Sequence, residues 1–191
     1  METLLNEVRH CRLCAEHLPA GPRPVFQLHP QARILIAGQA PGRRVHESGV
    51  PFDDPSGKRL RAWLGVNPEQ FYDPRSFAIL PMGFCYPGTG KSGDLPPRPE
   101  CAPAWRQRLL DSLPNLQLTL IIGQYALAWH LPECSADSLT EVAQDWQSYW
   151  PQKLPMPHPS PRNQRWLRNN PWFEDQVLPA LQVRVHRLLN T

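Results

Sequence analysis

Four short, uninterrupted apolar runs, each bounded by turn-forming residues, set the strongest limit on how this chain can fold. They cover residues 32–38 (ARILIAG), 77–82 (FAILPM), 118–123 (LTLIIG) and, more weakly, 153–157 (KLPMP). A strand with one wet face alternates apolar and polar residues. A continuous run is buried on both faces, as in a parallel sheet. Helical stretches lie between the runs. One begins at residues 60–64 after Ser56-Gly57, a second covers 104–110, and a third, 124–130, follows the third strand directly. A long amphipathic stretch over 170–189 opens at Pro171 and should be kinked or split by Pro179. Strands alternating with helices imply right-handed crossovers. The expectation is therefore an α/β fold: a three-layer α/β/α sandwich around a central, mainly parallel four-stranded sheet. No repeat and no linker is visible, so residues 1–191 are read as one domain.

The 24 prolines would point to disorder if they came with low hydrophobicity, but seven Trp, six Phe and the apolar runs sit among them. Six prolines fall between positions 81 and 103 and five between 151 and 161, which reads as stiffening of two loops. No run approaches the roughly 20 apolar residues of a membrane span. The N-terminal METLLNEVRHCRLC has early acids and no apolar signal region, so a cytoplasmic protein with no membrane partner is expected. Net charge is +3. Basic residues gather at three loop ends: Arg43 and Arg44; Lys58, Arg59 and Arg61; Arg162, Arg165 and Arg168. Such clusters can meet phosphates or simply face solvent.

In α/β sheets, ligands bind beyond the carboxyl ends of the strands. Three post-strand segments stand out: Gly38-Gln39-Ala40-Pro41-Gly42, residues 83–101, and His158-Pro159-Ser160-Pro161-Arg162-Asn163. The cysteines add a second constellation. Cys11 and Cys14 form a C-x2-C pair, Cys85 and Cys101 have fifteen residues between them, and Cys134 is left over. In a reducing compartment such cysteines point to metal or catalysis. Four thiolates can hold a [4Fe–4S] cluster or a tetrahedral zinc. Spacing alone does not bring the two pairs together, and buried, unrelated thiols at Cys85 and Cys101 are the alternative. The intervening YPGTGKSGDLPPRPE is too rich in Gly and Pro to pack alone and calls for an anchor at its ends.

GQAPG after the first strand, Pro51-Phe52 before Ser56-Gly57, the cysteine pattern and HPSPRN after the last strand together resemble the uracil-DNA glycosylase superfamily, in particular its iron–sulfur family-4 branch. The resemblance covers roughly residues 8–185. It implies that Cys11, Cys14, Cys85 and Cys101 hold a [4Fe–4S] cluster, with zinc as the alternative, and that Cys134 does not take part. It implies DNA as partner, a monomer, and a reaction in which a damaged base such as uracil is flipped into a pocket and its N-glycosidic bond hydrolysed. The HPSPRN loop itself looks more like that of the single-strand-selective branch.

Base excision sets three tasks: stabilising charge on the leaving base, stacking the flipped ring, and managing water or the sugar cation. By resemblance His158 serves the first and Phe52 the second. Ala40 belongs to the substrate motif, Ser160 to the loop that presses the DNA backbone, and Arg162 and Asn163 to the DNA surface. The third task is less settled. Gln39 stands where family-4 members carry a carboxylate, and an amide can orient water but accepts no proton. Glu47, Asp53 and Asp54 lie nearby, with Asp53 and Asp54 preferred because they flank the stacking ring. The family's base-reading Asn position is Pro81 here, which has neither side-chain donor nor backbone N–H. His46, in GRRVHESG, is a candidate for the pocket rim, with its role left open. Two readings compete with the enzyme: a non-catalytic or altered-specificity nucleic-acid-binding homologue that keeps the cluster, and a zinc-stabilised α/β domain with an unrelated small-molecule pocket.

Overall fold

Every apolar run becomes a strand. In this computed structural model, which describes residues 1–91 and 93–190, the strands are β1 (Ile34–Ala37), β2 (Phe77–Ile79), a two-residue pair β3 (Thr89–Gly90) and β4 (Gly93–Asp94), β5 (Leu118–Ile122) and β6 (Lys153–Met156). The helices are α1 (Glu2–Arg9), α2 (Arg43–Ser48), α3 (Pro55–Leu64), α4 (Pro68–Phe71), α5 (Cys101–Leu110), α6 (Gln124–His130), α7 (Leu139–Gln144), α8 (Gln164–Asn169) and α9 (Leu178–Leu189). The main sheet has the order β2-β1-β5-β6 with every pair parallel.

Pleating divides β1 between two cores. Ile34 and Ile36 pack with Phe77, Leu120 and Met156 against α3, α4 and α9. Leu35 faces the other way, onto Val8 of α1 and Leu109 of α5, while Ala37 meets Ala126 and Leu127 of α6. Burial on both faces is why these strands carry no polar alternation. The result is the expected three-layer α/β/α sandwich.

Local signals set the helix ends. Asp54 caps α3 by accepting from the Gly57 N–H at 2.8 Å, Pro55 occupies the first turn, and Gly65 closes the helix at φ 67°. Pro179 is accommodated by a π-turn over Phe173–Val177 that runs directly into α9, which is the expected irregularity in the 170–189 stretch. The β3–β4 hairpin was not expected. It lies inside the segment 83–101, read from the sequence as a loop.

Arg106 of α5 is fully buried among apolar residues. Its Nη1 donates to the carbonyls of Leu80 (2.9 Å) and Pro81 (3.1 Å), and its Nη2 and Nε approach His130 Nε2 at 2.7 and 3.2 Å. Burial, then the Arg106 and Lys153 cations, push the His130 imidazole down to about 3. Unfolded His130 titrates near about 6.5. Between those values the unfolded chain binds the extra proton, so stability falls as pH drops from about 6.5 towards about 3. The expected result is a shallower loss of urea-unfolding free energy between pH 7 and pH 5 in His130→Gln, whose carbonyl keeps an acceptor for Arg106. Equal slopes in the two proteins would contradict it.

Candidate active site and cysteine cluster

A cavity of about 250 Å³ opens at the carboxyl ends of β1, β2 and β6. Each of the three post-strand segments singled out in the sequence contributes to it. Gln39, Ala40 and Gly42 come from the first, Pro81 and Asp94 from around the second, and His158, Ser160 and Arg162 from the third. Phe52 and Asp54, from the turn before α3, also line it.

The His158 loop is tied down by its own polar groups. Ser160 N–H donates to His158 Nδ1 at 3.2 Å. An Nδ1 that accepts carries no proton, so the neutral ring bears its proton on Nε2. Burial holds the imidazole below its ordinary value, opposed by the nearby Asp54 and Asp94 carboxylates. Asn163 Nδ2 donates to the His158 carbonyl at 2.8 Å, and Arg59 of α3 donates to the Ser160 carbonyl at 3.0 Å. Asn163 is therefore a brace for His158 and is not among the residues lining the cavity.

Phe52 has φ 54°, a left-handed conformation rare for an aromatic residue. Its ring packs edge-on to Phe71, 6.3 Å between centroids, and faces the cavity. The following two acids part company. Asp53 is exposed and outside the cavity lining, whereas Asp54 lines it while its Oδ1 caps α3. Gln39 donates through Nε2 to the Leu95 carbonyl at 3.1 Å, which anchors the loop after β4 to the cavity floor. Pro81 lines the cavity with its carbonyl already engaged by Arg106. His46 is not a lining residue. Its ring rests near Tyr86, 5.8 Å between centroids, behind the wall formed by Val45.

Asp94 is the site residue that sequence reading missed. The antiparallel β3–β4 pair sets it at the cavity beside His158 and Gln39. Thr89 Oγ1 donates to its Oδ1 at 3.2 Å, and Tyr86 Oη lies 2.5 Å from the same Thr89 hydroxyl. Two-residue strands carry no readable period; the Gly-rich GTGKSGD was the only available hint of a tight turn.

The cysteines form a second centre. Cys11, Cys14, Cys85 and Cys101 line one hollow with Trp105 and Arg98, although they come from three segments. Trp105 Nε1–H donates to Cys11 Sγ at 3.2 Å and the Phe84 N–H to Cys101 Sγ at 3.3 Å. Burial raises all the affected thiols: Cys14 upwards, Cys85 to about 11 and Cys101 to about 12. Among the described residues no three His, Cys, Asp or Glu side chains are gathered tightly enough for a single ion. Cys134 stands apart, its Sγ 3.1 Å from Tyr149 Oη.

A parallel sheet with a cavity lined by Phe52 and His158 at its carboxyl edge defines an α/β protein with a candidate ligand site where such folds place one. Residues 26–182 match the model of the uracil DNA glycosylase superfamily, and the chain belongs to that superfamily. A DNA-glycosylase-like role follows from that membership. The fold is also similar to a solution NMR structure of a candidate uracil DNA glycosylase from Methanosarcina acetivorans. Identity is 15%, the alignment covers 84% of this chain and 98% of that one, and the TM-score is 0.48. No described helix is long and apolar enough to cross a membrane.

Proposed function

We propose that the protein binds DNA, receives a flipped damaged base in the cavity at the sheet edge, and hydrolyses its N-glycosidic bond. The observation that carries this reading is the pairing of Phe52 with a His158 whose neutral ring bears its proton on Nε2, both lining one small cavity. The base enters against the Phe52 ring, which replaces the stacking lost in the duplex. As the C1′–N bond lengthens, its electron pair moves into the base. The His158 Nε2–H then donates to the base oxygen that gains charge, a group already aimed and braced by Ser160 and Asn163. Arg162 of the cavity lining and the Arg43–Arg44 pair at the start of α2 would meet the DNA phosphates.

The donor set fits an iron–sulfur cluster. Four thiols with N–H donors on two of the sulfurs suit a [4Fe–4S] centre, whose ligands stand farther apart than those of one zinc ion. When bound, it would cross-link the N-terminal segment, the strand-end loop and α5. The base-release chemistry needs no electrons, so its role would be structural. Cys85→Ser is expected to lower the thermal midpoint while leaving the single-turnover rate of the folded fraction within about twofold. Unchanged melting with a collapsed rate would contradict that. Broad visible absorption from freshly purified protein separates iron–sulfur from zinc.

The deciding experiment is base release from labelled oligonucleotides carrying uracil or other damaged bases, with His158→Ala as control. Release by the wild type and its loss in the mutant supports the enzyme. If neither releases any base, the non-catalytic homologue takes its place, a reading favoured by the Gln39 and Pro81 departures.

A further inference from the structure

The cavity has a ring for stacking and a donor for the leaving base, but Gln39 cannot take a proton from water. We propose that Asp94, delivered by the β3–β4 hairpin, is the carboxylate that activates the attacking water and faces the developing sugar cation. The inference rests on the glycosylase reading above.

Its support is geometric. Asp94 lines the cavity, and also the adjoining recess formed by Gln39, Ala40, Gly93, His158, Ser160 and Arg162. Thr89 occupies its Oδ1, and its Oδ2 lies against the β1 loop, 3.2 Å from where a Cβ on Gly42 would stand. Any side chain at 42 would crowd that oxygen. The hairpin is seated on the His158 loop as well: a Cβ on Gly93 would fall 2.5 Å from Arg162 Nη1. Asp94 is exposed, so water reaches it, and close enough to His158 to influence its charge. The other carboxylate in the lining, Asp54, has its Oδ1 committed to the α3 cap.

The C1′–N bond breaks and its pair leaves with the base, whose charge meets the His158 Nε2–H. A water oxygen bonds to C1′ while its proton passes to Asp94 Oδ2, then to solvent. The anionic base takes a proton from solvent, leaving a 1′-hydroxyl abasic sugar.

Two measurements test it. Asp94→Asn should slow single-turnover release of whichever base the wild type excises by about 10²–10³-fold, with apparent KM changed little, and Asp94→Glu should recover part of that loss. Independently of turnover, binding is compared between oligonucleotides carrying a cationic pyrrolidine and a neutral tetrahydrofuran at the abasic position. The wild type should prefer the cation by about tenfold or more, the attraction expected of a close opposite charge near a protein surface. In Asp94→Asn that ratio should fall to near one. A persisting ratio, or an Asp94→Asn rate within about threefold of wild type, overturns the proposal. A wild type that releases no base would sink the glycosylase reading, while the binding ratio would still decide for or against Asp94.

Discussion

Replacing His158 by alanine is expected to cut base release by about 10²–10³-fold, the usual loss when one preorganised donor to a developing anion is removed. The size follows from how the ring is held. Its Nδ1 is engaged by Ser160 N–H and its carbonyl by Asn163, so neither tautomer nor position has to be chosen during the reaction. Burial keeps the ring neutral at lower pH than a solvated histidine. Any fall in rate from protonation of this ring should accordingly come at a lower pH than for a solvated histidine. His158→Gln, which can still donate through its amide, should retain more activity than His158→Ala. A mutant within threefold of wild type on a released base would remove His158 from the reaction.

The second large effect lies at a residue that touches no ligand. Gly57→Ala would place a methyl group 1.7 Å from the Phe52 carbonyl oxygen and 2.6 Å from its carbon. These are backbone atoms and cannot swing aside. Phe52 already sits at φ 54°, a conformation that costs a side-chain-bearing residue about 1–2 kcal/mol. The expected outcome is a loss of about 3 kcal/mol or more, or roughly 6–12 °C in thermal midpoint for a chain of this size, together with a displaced Phe52 ring. Thermal melting and affinity for an abasic-analogue oligonucleotide both read it. Wild-type values for both would show that the turn tolerates a Cβ.

What the sequence discloses follows from the range of the signal. β1 and β5 are plain because burial on two faces writes itself into consecutive residues, and Gly65 marks the end of α3 because only glycine sits easily at its positive φ. The three site segments are legible because parallel strands direct function to their carboxyl ends. Side-chain direction is another matter. Nothing in Asp53-Asp54 says which acid turns inward, and nothing in PSPRN says that Asn163 folds back on His158. Arg106 looks like any charged helix residue until the Leu80 and Pro81 carbonyls come within reach. The C-x2-C pair is visible in the sequence, but its meeting with Cys85 and Cys101 needed the fold.

Pro81 sets the kind of selectivity such a cavity can have. Its carbonyl is spent on Arg106, its ring offers only carbon, and Ile79 and Val25 line the same space. A wall of this sort works as a size sieve. It rejects an extra methylene by about 10–200-fold, against about 10⁴–10⁵ for a site that reads a base edge through hydrogen bonds. On that side of the cavity bulk rather than pairing identity would decide what is turned away, and any reading of a base edge would fall to the polar groups opposite, Gln39 among them.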